Sequence, residues 1–121
     1  MGGGRRFDLE ERTLRFSRAV IEFCQRHKSS DFLRPVFTQL IRSATSIGAN
    51  YAEANNAQSR RDFEHKVALC RKESKETIYW LNLIQNKPDS KVLREEAEQL
   101  HRIFVKIALS TKKNNNRHSG N

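Results

Sequence analysis

A chain of 121 residues, 36% of them hydrophobic, carries enough apolar material for one domain with a modest core. It has no apolar run long enough to span a membrane, and its two cysteines are too few for a disulfide framework. A formal net charge of +9 and a pI of about 10.1 point to a polyanion partner. Nucleic acid stands ahead of an acidic membrane surface, and no membrane partner is expected. Strand signals are missing, and of the five glycines only Gly48 lies outside the ends.

In chain order, residues 1–7 read as a flexible leader. The start MGGGRR lacks the apolar stretch of a secretory signal, so a reducing cytoplasm is expected. Helix 1 is predicted from Asp8, as N-cap with Glu11 three residues on, to about His27. Leu9, Thr13, Phe16, Val20, Phe23 and Cys24 form its inner stripe, with Leu14 and Ile21 on a flank and Arg12, Arg15, Arg18 and Arg26 outside. Lys28 to Arg34 makes a connection, and Pro35 suits the first turn of helix 2, predicted to run to about Asn55. Helix 3 follows Ser59 and continues to about Asn86, with Phe63, Val67, Cys70, Ser74, Ile78, Leu81 and Ile84 on its seam. Lys87-Pro88 turns the chain, Asp89 or Ser90 caps helix 4, and Leu93, Ala97, Leu100, Phe104 and Ile107 carry that helix to about Thr111. Residues 112–121 read as a disordered basic tail. Cys24 and Cys70 both fall on apolar faces, where they act as small buried hydrophobes. The expected architecture is all-α: an antiparallel up-down-up-down four-helix bundle spanning residues 8–111.

The most distinctive stretch is IRSATSIGANYAEANNAQSRRDF, residues 41–63. Ala44, Gly48 and Ala52 recur every four residues and make a smooth stripe on a helix. Gly48 costs about 1 kcal/mol against Ala in a helix interior, so close approach of another helix is the expected reason for it. Ser59 and Asp62 read as a capping box that opens the next helix. Residues 31–57 hold 2 basic and 2 acidic groups, whereas 1–30, 58–87 and 88–121 each hold 7 and 4, a net +3 apiece. The small-residue helix is thus the neutral one, a packing seam and not the polyanion surface.

These residues carry a resemblance. Arg42, Ser43, Ser46, Ile47, Asn50, Glu53 and Ala54, then Ser59, Asp62, Phe63, Lys66, Glu73, Glu76 and Leu81, resemble the bacterial four-helix bundle family of ribosomal-RNA intervening-sequence proteins. The likeness covers about Phe7 to Leu109. One departure is Ala54, where the family often has glycine, and it touches only the helix end. The resemblance implies a homopentamer, and genes of many members lie inside large-subunit ribosomal RNA genes. The accessory variability determinant of diversity-generating retroelements is similar in fold. It is a basic pentamer that binds nucleic acid and a reverse transcriptase.

Candidate nucleic-acid-binding residues are Arg12, Arg15 and Arg18 on helix 1; Arg60, Arg61, Lys66, Arg71, Lys72 and Lys75 on helix 3; and Lys112, Lys113 and Arg117 in the tail. Asp62, Glu64, Glu73 and Glu76 are spaced to neutralise part of this field by i, i+4 pairing. No base-reading motif is present, so binding is expected to be electrostatic and salt-sensitive. Asn50, Glu53, Glu73 and Glu76 are expected to form a structural polar network beside the small-residue seam. The end of helix 3 is apolar all round, which points to an oligomer interface at Tyr79, Trp80 and Leu83. Glu98-x-x-His101 and Asp62-x-x-His65 are the only E-x-x-H-like pairs. In a hairpin turning at Pro88 they lie about 15 Å apart along the axis, too far to share a metal pair. No cofactor, metal or catalytic residue is expected. The reading is a non-enzymatic basic bundle that oligomerises and binds RNA or DNA. A scaffold docking a reverse transcriptase is the alternative, and a purely structural oligomer is a third.

Overall fold

A computed structural model describes the backbone over residues 2–27 and 31–119, with side chains from Leu9 to His27 and from Asp31 to Lys113. The described residues form four α-helices, α1 (Gly2–Arg26), α2 (Arg34–Asn55), α3 (Arg60–Leu83) and α4 (Ser90–Ser119), with a single 3-10 turn over Asp31–Leu33 before α2 and no strand. Two ends differ from the sequence expectation. Asp8 lies inside α1 and does not cap it, and α4 runs through residues 112–119, expected as a disordered tail. Once a turn is nucleated, each added residue contributes one hydrogen bond for one residue fixed.

The connections obey local chemistry. Pro35 sits in the first turn of α2, where its missing N–H costs nothing. The Ser59 hydroxyl accepts the Asp62 backbone N–H at 3.1 Å and opens α3. At its far end α3 stops at Leu83, three residues short of the expected Asn86. There the Ile84 N–H turns to the Leu81 carbonyl, Lys87 N–H to Ile84, and Ser90 N–H to Lys87. Asp89 takes the left-handed conformation, φ 72°, which Asp tolerates better than most residues. Ser90 does not cap α4 with its hydroxyl; it donates to the Gln85 carbonyl at 3.1 Å and closes the turn.

Among the described residues each helix packs on two others, α1 on α2 and α4, α3 on α2 and α4, while the backbones of the diagonal pairs stay apart. The stripes read from the sequence supply the core. Phe23, Leu40, Ile47, Leu81, Ile84, Leu100 and Phe104 are fully buried, each contributing about 1.5–3 kcal/mol of transfer free energy. The Tyr51 and Phe104 rings meet across the middle at 5.7 Å. Cys24 and Cys70 are buried free thiols, and burial pushes them up to about 11 and about 12.

The α2–α3 seam is the most extensive. Along it Ser43 accepts from Thr77 at 2.9 Å, the Ile47 carbonyl accepts from the Cys70 thiol at 3.5 Å, and Glu53 pairs with Lys66 at 3.4 Å. Position rises on α2 as it falls on α3. The other face of α2 meets α1: Ser17 donates to the Ala44 carbonyl at 3.4 Å, and a Cβ on Gly48 would lie 3.2 Å from Thr13 Oγ1. The small stripe is therefore a close-approach face, as expected, at Ala44 and Gly48; Ala52 is exposed beyond it.

Candidate nucleic-acid interface

α3 spends one face on the core through Val67, Cys70, Ser74 and Thr77. The opposite face carries Arg61, His65, Ala68, Arg71, Lys72 and Lys75 at helical spacing, and α4 lies alongside it. Two adjoining concavities open between the helices. One, of about 380 Å³, is lined by Arg61, Glu64, His65, Ala68, Arg71, Ala108, Leu109, Thr111 and Lys112. The other, of about 290 Å³, is lined by Ala68, Arg71, Lys72, Lys75 and His101. They share Ala68 and Arg71, so they form one groove. From Arg61 to Lys75 it follows α3 for about 21 Å at 1.5 Å per residue. The methyl group of Ala68 keeps its floor low, and Glu64 is the acidic residue in its lining.

His101 is the anchored member of this groove. Its Nδ1 lies 3.0 Å from Ser74 Oγ and 3.2 Å from the Arg71 carbonyl oxygen. Desolvation pulls its pKa below the ordinary histidine value, the hydrogen bond to Arg71 opposes that, and the charges of Arg71, Lys75 and Arg102 lower it further. Ser74 places His101 level with residue 74, and His65 lies beside Thr111, as the hairpin register predicts. Among the described residues no three of His, Cys, Asp and Glu gather to hold a metal ion.

The groove unites Arg61, Arg71, Lys72, Lys75 and Lys112 from the sequence candidates. The others lie elsewhere. Arg12 makes a bidentate pair with Glu96, 2.7 Å on both arms, and donates to Gln99 at 2.8 Å, tying α1 to α4. The Glu96 hydrogen bonds raise the Arg12 pKa against the cost of desolvation. Arg15 borders a separate concavity with Val92, Glu95 and Glu96, and Arg18 is exposed on α1. Lys66 is held by Glu53. Arg60 is exposed at the start of α3, Lys113 is exposed beyond Lys112, and the side chain of Arg117 lies outside the described residues. His65 and His101 were legible only as metal-ligand candidates; their i, i+4 and cross-helix relation to the cations marks them as groove residues.

The expected polar network of Asn50, Glu53, Glu73 and Glu76 is not one network. Glu73 and Glu76 both hold Arg42, and Glu76 also accepts from Trp80 Nε1 at 3.0 Å. Glu53 holds Lys66, and the Asn50 amide donates to Ser46 within its own helix at 2.9 Å. Charged carboxylates stay at the seam's edges because burying them is costly, and the buried positions go to the hydroxyls of Ser43, Ser74 and Thr77. Of the proposed interface residues Tyr79 and Leu83 are exposed at 57% and 52%, a large apolar display for so small a domain, and Trp80 is half-buried with its ring edge-on to Tyr79. No helix among the described residues is long and apolar enough to cross a membrane.

Fold and groove together define an all-helical bundle with a basic cleft between two of its helices. The chain belongs to the 23S rRNA-intervening sequence protein family, whose family model matches residues 5–113. A crystal structure of a protein of unknown function from the S23 ribosomal protein family of Bacteroides thetaiotaomicron is similar to it. The two are 28% identical, with a TM-score of 0.71 over 82% of this chain and 96% of that one. A comparison with curated proteins finds no match.

Proposed function

We propose that this protein is a non-enzymatic nucleic-acid-binding bundle of up-down-up-down topology. It works as a homo-oligomer in the cytoplasm, binds the phosphate backbone of RNA or DNA through the α3–α4 groove, and self-associates through Tyr79, Trp80 and Leu83. The observation that carries this reading is the convergence of Arg61, Arg71, Lys72, Lys75 and Lys112 on one groove with Glu64 as its acidic residue. Cations sharing a concave surface sum their fields and release counterions when a polyanion docks. The sequence carries no base-reading motif, so affinity without strong sequence preference is expected.

The test is binding of a fluorescent single-stranded RNA across a salt series. Five phosphate contacts give a slope of log K against log salt of about −3.5, which is a loss of about a hundredfold from about 50 to about 200 mM salt. Salt-independent affinity, or no binding at low salt, overturns the proposal. Light scattering on wild type and on a Tyr79→Ser, Leu83→Ser variant checks the oligomer: the variant should be smaller while keeping its helical content.

A further inference from the structure

The Arg71 carbonyl, which can only accept, lies 3.2 Å from Nδ1 of His101 and assigns the ring proton to that nitrogen. Ser74 donates its hydroxyl proton to the Arg71 carbonyl at 3.0 Å. Nδ1 of His101 therefore faces two acceptors, that carbonyl and the oxygen of Ser74, and must be the protonated nitrogen. In the neutral ring Nε2 is then a bare lone pair. The ring lines the concavity in which Arg71, Lys72 and Lys75 are the cations. While the groove is empty, the neighbouring cations disfavour a proton on that nitrogen. With a phosphate oxygen present, a proton on Nε2 turns it into a charge-assisted donor.

We infer that His101 is a proton-linked phosphate contact: a backbone phosphodiester seated between Arg71, Lys72, Lys75 and His101 draws a proton from solvent onto Nε2, so nucleic-acid affinity rises on mild acidification. The inference deepens the proposed function and rests on it. The charged groups facing the ring are Arg71, Lys72 and Lys75 from α3 and Arg102 from α4, with Glu98 one turn earlier on α4. All but Glu98 oppose a positive charge on the ring in the empty groove, and desolvation, with Arg71, Lys75 and Arg102 after it, lowers its pKa. A phosphodiester reverses that balance because it brings an anion to the same place. Between the free and the bound pKa of His101, binding takes up one proton, and the affinity climbs as pH falls through that window.

The experiment measures affinity of the full chain for a short RNA without terminal phosphates, at fixed low salt, from about pH 8 to about pH 5.5. Wild type should tighten on the order of tenfold. His101→Gln should lose most of that gain, its affinity varying much less between the two ends of the range. His101→Arg, whose charge is permanent, should bind at about pH 8 as wild type does at about pH 5.5. His65→Gln removes the other groove histidine, and in that background a pH-dependent gain that is abolished by adding His101→Gln should persist. Circular dichroism establishes that each variant is folded. If wild type and His101→Gln bind with the same pH profile, the inference falls while the proposed function stands. If no RNA binds at low salt, both fall, and the same holds if anionic vesicles bind with the His101 dependence and RNA does not.

Discussion

The two faces of α3 make opposite use of the same helix. Toward α2 it is interlocked: Thr77 on Ser43, Cys70 on Ile47, and Glu73 and Glu76 on Arg42. Toward α4 it leaves an open channel, where Arg61, Arg71, Lys72 and Lys75 line the cleft and His101 reaches across to Ser74. α2 is the neutral segment; its small stripe at Ala44 and Gly48 lets α1 approach closely on the face next to this seam. An interlocked seam and a basic groove thus lie back to back, separated by the width of one helix, and substitutions on α3 should sort cleanly by face.

The largest effect should come from breaking the seam side. Leu81→Ala empties a fully buried site and should cost about 2–5 kcal/mol in chemical denaturation, with groove charge unchanged. Reversing the groove side, Arg71→Glu with Lys72→Glu and Lys75→Glu, should weaken RNA binding at least a hundredfold at low salt. The melting temperature should shift little, because these side chains are exposed. A triple variant that unfolds would show that the two faces are not separable. Thr77→Val is intermediate: it strips Ser43 of its buried donor and should cost about 1–3 kcal/mol without touching RNA affinity.

Smaller effects sharpen the picture. The free protein should lose stability as pH falls from about 6.5 through the depressed His101 pKa, since there the unfolded chain binds the extra proton. His101→Gln should flatten that part of the denaturation profile. Gly48→Ala sets the helix-propensity gain of about 1 kcal/mol against a new contact 3.2 Å from Thr13 Oγ1. Thr13 is tied to the Leu9 and Glu10 carbonyls at 2.9 Å and yields little. The net should be near zero in wild type and clearly stabilising on a Thr13→Ala background, a coupling read from a double-mutant cycle.

Sequence alone determined the four amphipathic helices, the inward stripes from Leu9 to Phe104, the Ser59 cap and the close approach at Gly48. Each follows from spacing along one chain segment, 3.6 residues per turn or a cap three residues from its partner. The neutrality of the small-residue segment, read from the same local count, agrees with its place in the seam. Tertiary structure decided the rest. Arg12, expected among the phosphate contacts, pairs with Glu96, 84 residues away. The four residues expected as one network divided because Arg42 claimed two of them and Lys66 a third. The groove exists only because α4 lies against α3 in a register that sets His101 at Ser74 and Lys112 near Arg61. Periodicity says which way a side chain points from its own helix. What stands opposite it is set by helix pairing, and it is the opposing group that decides whether a cation is spent in a salt bridge or left to meet an anion.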